Sequence, residues 1–465
     1  MNKYKKLLSN TLLISLGTFG SKLLVFLMVR FYTGYLTPSD YSTADLISQT
    51  ANLLFPIISL GITDGVFRFA MDKSINRKET FSCAFYTITL GALMFLVAVP
   101  ILGLVGDFEG YVWLIVLYTM TCSYHALCAQ YIRAIDKTVL FAVQGIVNTC
   151  LVIVLNILFL AVFDMGITGY VLSVAVADFI CTVFLVLKEK LWQVMTVKIP
   201  KNVTVSMLKY SIPLIPTTVF WWITSVSDRY MVNGFIGSDA NGIYAVSYKL
   251  PTLLTLVSGV FMKAWQFSAV SEEGDNAKEH ARFFERVWGS FQAVMFIAGS
   301  GVIAFAKPLM KMLTASEYYS AWKYVPLLSF SMVFTSFVSF LGTVYIVKKK
   351  SGLSFATSTA GAVTNIVLNL ILIPSPLGVQ GAAIATAFSY FIVFVIRAVN
   401  VRKYIAFKLS SGHIMLNSII LLIQTAVMIF SVPYWILIQV VCIGLLCLIN
   451  FKFLLGFLKK ILKRG

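Results

Sequence analysis

Apolar runs long enough to cross a membrane recur from one end of the sequence to the other. A bilayer-spanning helix needs about 20 predominantly apolar residues, and shorter basic or glycine-containing stretches separate these runs. A transmembrane β-barrel is excluded because its strands alternate in segments of about 10 residues, whereas these runs are continuously apolar. The predicted spans are residues 10–31, 41–63, 81–102, 111–131, 139–163, 168–187, 211–235, 242–265, 287–306, 325–347, 353–373, 378–396, 414–432 and 435–455.

These runs predict an all-α polytopic membrane protein with about 14 transmembrane helices. A long basic linker falls midway through the first twelve, so we predict four segments along the chain. They are an N-terminal six-helix bundle (1–190), a cytoplasmic linker (191–209), a C-terminal six-helix bundle (210–400), and two additional helices with a basic cytoplasmic tail (401–465). Because six is an even number, both bundles share one orientation, which implies a pseudo-twofold axis along the membrane normal and a cavity between the bundles.

A repeated pattern of asparagine and glycine supports two related halves. Asn156 precedes Gly166 and Gly169, and Asn369 precedes Gly378 and Gly381. Small residues at such positions let the next helix approach closely.

Composition and charge agree with a membrane protein. Hydrophobic residues make up 59% of the chain, charged residues 12%, and the mean hydropathy is +0.87, whereas soluble domains carry about 25% charged residues. The net charge of +18 comes mainly from basic residues in alternate loops, which indicates orientation rather than nucleic-acid binding and places both termini in the cytoplasm. The first apolar run reaches Phe31 without an A-x-A site, so it is expected to remain as a helix rather than to be cleaved.

Ionisable side chains inside predicted spans are the candidates for function, since each costs roughly 2.5–3.5 kcal/mol in hydrocarbon. Helix packing or snorkelling to the interface is the alternative role for each. The predicted substrate-binding residues of the cavity are Lys22, Arg30, Asp45, Gln49, Asn52, Asp228, Arg229, Tyr248 and Lys249. The predicted gate or coupling residues are Asp64, Arg68, Lys263 and Asp178.

The balance of these charges favours an anionic solute. Basic residues outnumber acidic ones among the cavity candidates, and a positive chamber suits a phosphate or pyrophosphate group and disfavours organic cations. The sequence contains no P-loop, H-E-x-x-H or G-x-S-x-G motif and no plausible metal cluster. We therefore predict a protein that is not an enzyme, hydrolyses no ATP itself and binds no cofactor, metal or nucleic acid.

Several segments resemble the polysaccharide flippases. They are Ser21–Leu23, the turn Leu36–Tyr41, Asp64–Phe69, Asn365–Asn369 and Gly378–Thr386. The likeness covers essentially the whole chain, which resembles the Wzx-type polysaccharide transporter branch of the multidrug, oligosaccharidyl-lipid and polysaccharide exporter superfamily.

The resemblance implies a multi-pass protein of the bacterial cytoplasmic (inner) membrane. Its implied function is to move an undecaprenyl-pyrophosphate-linked O-antigen or capsule repeat unit by alternating access, among membrane lipids and alongside a polymerase and other polysaccharide-assembly proteins. H⁺, Na⁺ and the membrane potential are open alternatives for coupling. A basic residue at the place of Lys22 faces the cavity of the related lipid II flippases, and an acidic-glycine pair like Asp64-Gly65 ends their second helix.

Three further functions compete with this hypothesis. A multidrug and toxin extrusion antiporter shares the fold but requires acidic residues to dominate the cavity. A lipid II flippase carries arginines deep in the second helix, where this chain has Leu53–Pro56. An enzyme such as the polymerase or ligase of the same pathway is disfavoured by the short outer loops, of which 307–324 is the longest.

Overall fold

The computed structural model describes residues 20–21, 23–72, 75–102, 108, 110–197, 200–271, 277–348, 350–451 and 453. Within these ranges every regular element is helical. Up to residue 235 the α-helices are α1 Val29–Tyr35, α2 Pro38–Ile58, α3 Ile62–Ala70, α4 Arg77–Leu102, α5 Val112–Ala134, α6 Thr138–Asn156, α7 Gly166–Glu189, α8 Lys201–Ser211 and α9 Ile215–Phe235. They continue as α10 Ser238–Ser247, α11 Lys249–Ser271, α12 Ala277–Ala304, α13 Ala306–Leu313, α14 Val325–Val347, α15 Ser351–Leu372, α16 Val379–Asn400, α17 Ser411–Ile429 and α18 Trp435–Ile449.

Eleven helices of the described residues are long and apolar enough to cross a membrane, and a bent pair brings the number to 12. Two shorter apolar helices, Leu23–Tyr35 and Trp435–Ile449, lie near the two ends of the described chain. The prediction of an all-α polytopic membrane protein is confirmed. The first and last predicted spans, 10–31 and 435–455, both extend beyond the described residues, and the predicted number of 14 stays a prediction.

The chain forms two compact units, Met1–Val226 and Ser227–Gly465, whose boundary lies within α9. The predicted linker 191–209 includes most of α8, which packs against α3 and α4 of the first unit. The predicted segment limits at residues 190, 210 and 400 stay predictions.

A broken helix shapes the first unit. Thr37 and Asp40 form a reciprocal capping box at the start of α2, with Pro38 at its first turn. Pro56 lies inside α2, and α3 follows at an angle of 55° after Gly61, whose φ of +62° favours glycine. Beyond the bend, Ile62 and Val66 of α3 join an apolar cluster with residues of α4, α5 and α8.

Gly91 of α4 permits the close approach of α2 at this bend. A Cβ atom on Gly91 would lie 2.0 Å from the Ile58 carbonyl oxygen, which is too short for any side chain. We expect Gly91→Ala to lower the free energy of unfolding by about 1–3 kcal/mol, because the helix backbones must move apart. Thermal unfolding of the detergent-purified protein measures this. Gly145→Ala is the matched control, because a Cβ atom added there would have no neighbour within 4 Å outside its own stretch of helix backbone. Equal midpoints for the two variants would contradict the prediction.

Aromatic side chains fill the interior of the second unit around α14. The ring of Phe340 stacks on Trp265 at 4.6 Å between centroids, and Phe337 packs edge-on against Trp288. The indole Nε1 of Trp288 donates to the Leu409 carbonyl at 2.9 Å. These contacts bring α11, α12 and α14 together with the segment that precedes α17.

The predicted close approach is confirmed at the second glycine of each repeat, whereas Gly166 and Gly378 make no tight contact. A Cβ atom on Gly169 would lie 3.0 Å from the Phe159 Cβ, and one on Gly381 would lie 2.5 Å from the Leu372 carbonyl oxygen. In each case the glycine starts a helix that packs directly on the end of the preceding one.

The predicted outer loop 307–324 is instead mostly helical. It contains most of α13 and a 3₁₀ helix, Ser316–Lys323. The Lys307 ammonium lies 4.3 Å from the ring centre of Trp322 and 4.7 Å from that of Trp435. This cation–π contact stabilises the packing of α18 on the segment. The sequence did not reveal the short helices because they lack a long apolar run.

Candidate functional site: buried polar clusters in the two units

The predicted polar stripe of α2 lies in the first unit. Asp45 is buried, and its Oδ1 accepts a hydrogen bond of 3.5 Å from Nε2 of Gln49 one helical turn later. The Gln49 carbonyl accepts from Nε1 of Trp222 at 3.0 Å, which connects α2 to the first half of α9. Asn52, the third member of the stripe, is exposed.

The other predicted site residues of the first unit do not join this stripe. Lys22 lies outside the described residues, and Arg30 is exposed on α1. Asp64 and Arg68 are exposed on α3, whereas Gly65 between them is buried. A Cβ atom at Gly65 would lie 2.5 Å from Oγ of Ser211, so α8 requires a glycine there.

Asp178, one of the predicted gate or coupling residues, is part of a polar cluster. It lies on α7, and its Oδ1 is 2.9 Å from Nδ1 of His125 on α5. Nδ2 of Asn148 on α6 donates to the same oxygen at 2.8 Å. The sequence could not reveal this cluster because its members come from three helices.

The second unit brings together three of the predicted residues. Asp228 of α9 is completely buried, and its Oδ2 accepts hydrogen bonds from the hydroxyls of Tyr248 (2.6 Å), Tyr244 (2.7 Å) and Thr386 (3.2 Å). Its Oδ1 accepts from the Arg229 backbone N–H at 3.0 Å. Donors on both oxygens stabilise an ionised carboxylate in the interior.

The predicted cations of the second unit differ in exposure. Arg229 is 8% exposed, and its guanidinium carbon lies 4.8 Å from the ring centre of Tyr248, within the range of a cation–π contact. Lys249 is half-buried next to Tyr248 in the chain, and Lys263 is exposed further along α11. Asp228, Arg229 and Tyr248 therefore form one buried cluster, and Lys263 lies outside it.

Two asparagines of α15 extend this cluster, and the sequence reasoning assigned them no site role. Asn365 donates from Nδ2 to the Thr386 hydroxyl at 3.4 Å and accepts from the Ser227 hydroxyl at 3.3 Å. Nδ2 of Asn369 donates to Oδ1 of Asn365 at 2.9 Å. Two asparagines one helical turn apart in an apolar helix were the available signal, since both are completely buried.

Arg397 is a buried residue that lies one position beyond the predicted span 378–396, and therefore in a predicted loop. It lies on α16, is 3% exposed, and its Nη1 donates to the Val338 carbonyl of α14 at 2.8 Å. Nε donates to the Thr357 hydroxyl of α15 at 3.0 Å. The loop prediction was wrong because α16 continues to Asn400, past the end of the apolar run.

Comparison with known proteins identifies relatives of the chain. The family described as "Polysaccharide biosynthesis protein" matches residues 7–266. The curated protein "Probable low-salt glycan biosynthesis flippase Agl15" of Haloferax volcanii is 23% identical over 212 residues, which are 45% of this chain and 44% of that protein. The aligned part of the chain thus spans less than half of this relative.

Solved structures show the same fold across most of the chain. The lipid II flippase MurJ, in an inward closed conformation, superposes with a TM-score of 0.72 at 14% identity and covers 97% of this chain and 100% of its own. An inward-facing multidrug resistance MATE family transporter of the MOP superfamily gives a TM-score of 0.66 at 11% identity, over 82% of this chain and 95% of its own. The predicted superfamily fold is confirmed.

The family match and the flippase relative also confirm the resemblance to polysaccharide flippases and the expectation of a transporter family rather than an enzyme. The predicted roles of the individual site residues stay predictions.

Proposed function

Because the chain belongs to the polysaccharide biosynthesis protein family, we propose that it is a flippase that moves a lipid-linked glycan across the membrane. The observation that carries this proposal is the family match over residues 7–266, which the glycan-biosynthesis flippase relative supports. The proposed cargo is an undecaprenyl-pyrophosphate-linked repeat unit, carried from the cytoplasmic to the outer leaflet of the bacterial inner membrane by alternating access. O-antigen and capsule repeats are both compatible with this cargo class.

The finer architecture belongs to the same proposal. We propose 14 spans, of which the shorter apolar helices Leu23–Tyr35 and Trp435–Ile449 represent the first and last. An even number of spans is compatible with two cytoplasmic termini, which the distribution of basic loops also favours.

The cationic residues are proposed to hold the pyrophosphate group. Lys22, Arg229 and Lys249 are the proposed ligands, because charge-assisted hydrogen bonds to phosphate oxygens are strong where water is scarce. Tyr248 supports this role for Arg229, since its ring lies 4.8 Å from the guanidinium carbon and its hydroxyl is bonded to Asp228. These contacts fix the position of the guanidinium. The Asp228 carboxylate next to it compensates its positive charge when no cargo is bound.

The polar stripe Asp45, Gln49 and Asn52 is proposed to contact the sugar part of the cargo, with Arg30 at the outer end of the first predicted span, 10–31. Exposed Asn52 offers both an amide donor and an acceptor to hydroxyl groups. Asp64, Arg68 and Lys263 are proposed gate residues, since all three are exposed. H⁺, Na⁺ or the membrane potential supplies the driving force in this proposal.

We expect Lys22→Ala and Arg229→Ala each to reduce surface glycan at least about tenfold in a flippase-deficient strain that expresses the protein. Loss of one charge-assisted contact to phosphate costs about 1.5–3 kcal/mol, and 1.4 kcal/mol corresponds to a factor of ten. Surface glycan is measured by lectin labelling and protein level by immunoblot. Lys311→Ala is the matched control, because Lys311 is exposed on α13 and has no proposed role.

Two outcomes would contradict the proposal. Full surface glycan in both the Lys22→Ala and the Arg229→Ala variants would contradict the proposed role of these cations in binding pyrophosphate. Drug resistance without restored glycan in cells that express the wild type would favour a multidrug antiporter instead.

A further inference from the structure

Four polar side chains meet within the first unit, between α5, α6 and α7. His125 has both ring nitrogens engaged: Nδ1 lies 2.9 Å from Oδ1 of Asp178, and Nε2 lies 2.7 Å from Oε1 of Gln144. Asn148 donates to Asp178 at 2.8 Å from the side of α6. We call His125, Gln144, Asn148 and Asp178 the His–Asp cluster.

The His–Asp cluster lies near the middle of its helices. His125 is about 20 Å from the start of α5 and about 14 Å from its end, at a rise of about 1.5 Å per residue. Asp178 is likewise close to the midpoint of α7. The side chains of His125 and Asp178 keep 16% and 9% of their surface accessible. An acid and a base at this depth in a membrane are costly, which marks the pair as a candidate for function.

The hydrogen bonds of His125 distinguish two protonation states. Both ring nitrogens face oxygen atoms in this arrangement, so both bonds form only when each nitrogen carries a proton and the ring is an imidazolium. Rotation of the Gln144 amide by half a turn would present its NH₂ group to Nε2 and would suit the neutral ring, with Nδ1–H still bonded to Asp178. The two states differ by one proton and one amide rotation.

We propose that the His–Asp cluster is a proton-binding site that couples proton movement to glycan flipping. The inference rests on the proposed function, and it selects one of the three driving forces left open above. A proton from water adds to Nε2 of His125, and the Gln144 oxygen accepts the new N–H. Release to the opposite side reverses both steps, so no other reactant is required.

Charge explains how binding is coupled to movement. When the site is loaded, the imidazolium neutralises the Asp178 carboxylate, and when it is empty the carboxylate is uncompensated. A neutral pair in a low-dielectric interior is less costly than a lone carboxylate. The loaded and empty forms therefore favour different surroundings for the cluster, which a carrier that alternates between two sides requires.

The neighbouring titratable groups leave His125 as the group that changes charge near neutral pH. The Asp178 carboxylate acts electrostatically on three such groups, Tyr118 and Cys122 of α5 and Cys181 of α7. Thiols and phenols ordinarily ionise at about pH 8.5 and 10, whereas imidazole titrates between pH 5 and 8. Helix α2, which packs against α5 and α7, contributes Asp45, which is bonded to Gln49.

A sodium ion fits this cluster poorly. Hard cations prefer several oxygen ligands, but Oδ1 of Asp178 already accepts from His125 and Asn148.

The protonation of His125 is directly observable because the chain contains only three histidines. In protein purified through a histidine-free tag, His280→Gln and His413→Gln leave His125 as the single imidazole for ¹⁵N NMR in lipid nanodiscs. We expect its two nitrogen resonances to titrate between pH 5 and 8 and the midpoint to be displaced by Asp178→Asn. A ring that stays in one protonation state throughout this range, or a midpoint insensitive to Asp178→Asn, would overturn the proton site.

Coupling is tested in vesicles of phosphatidylethanolamine and phosphatidylglycerol, with undecaprenyl-pyrophosphate-linked N-acetylglucosamine as the probe. We expect acidification of the receiving side by about one pH unit to accelerate wild-type flipping up to about tenfold, since one unit corresponds to a factor of ten in proton concentration. His125→Gln and Asp178→Asn should lose this acceleration, and His280→Gln should keep it.

The two tests separate failure of the coupling from failure of the proposed function. A wild type that flips the probe equally with and without the gradient, or a His125→Gln variant that still responds, overturns the coupling. A wild type that moves no probe under any gradient counts against the proposed function, and the NMR titration then decides the proton site alone.

Discussion

Replacing Arg397 by methionine is expected to lower the thermal unfolding midpoint of the purified protein by roughly 10 °C. The guanidinium connects three helices of the second unit, because Nη1 donates to Val338 of α14 and Nε to Thr357 of α15. Nη2 adds bonds to the Ser354 carbonyl at 3.3 Å and the Ser358 hydroxyl at 3.2 Å. Methionine fills a similar volume but donates none of these bonds, so buried acceptors lose their partners at about 1–3 kcal/mol each.

A nearby arginine provides the control for this prediction. Arg402 is exposed, and its Nη2 donates to the Ser411 hydroxyl at 3.2 Å, so Arg402→Met should move the midpoint by less than about 2 °C. Arg397→Lys should lie between these values, because lysine keeps the charge but not the planar fork of donors. Fluorescence-detected unfolding in detergent measures all three variants. Equal midpoints for Arg397→Met and Arg402→Met would show that the buried bonds contribute nothing.

The sequence predicted helices well wherever a helix is continuously apolar. Hydropathy identified α5, α7 and α14 because lipid and protein interior both exclude charge over the length of a span. The same criterion misassigned α13 and the end of α16. Lys307 and Arg397 follow apolar runs and resemble loop residues in the sequence, but aromatic rings and backbone carbonyls satisfy their charges in the folded chain.

The sequence allowed residues of the candidate site to be grouped only where their helices follow one another along the chain. Asp228, Arg229 and Tyr248 come from α9 and the adjoining segment before α11, and the sequence grouped them correctly. Asn365 of α15 and Thr386 of α16 lie far along the chain, and hydropathy contains no information on which buried hydroxyl or amide lies near Asp228. For the same reason, the sequence did not reveal the contact of His125 with Asp178.

Replacing Asp228 by asparagine is expected to reduce surface glycan at least about tenfold in a flippase-deficient strain. Three hydroxyls donate to one carboxylate oxygen, and a backbone N–H donates to the other. If the asparagine oxygen keeps the Arg229 N–H, its NH₂ faces Tyr244, Tyr248 and Thr386 with only two hydrogens. At least one buried hydroxyl then loses its partner, and Arg229 loses the neighbouring negative charge, at a combined cost of several kcal/mol.

Graded variants separate the loss of charge from the loss of hydrogen bonds. Tyr248→Phe removes one donor and keeps the carboxylate, so we expect an intermediate loss of glycan with a thermal midpoint near that of the wild type. Asp239→Asn is the matched control, because Asp239 is exposed in the first turn of α10 and should retain full activity. Immunoblots of the membrane fraction correct each value for protein level. Full surface glycan with Asp228→Asn would show that neither the charge nor the network around it is needed for transport, and an equal loss with Asp239→Asn would show that the effect is not specific to the buried cluster.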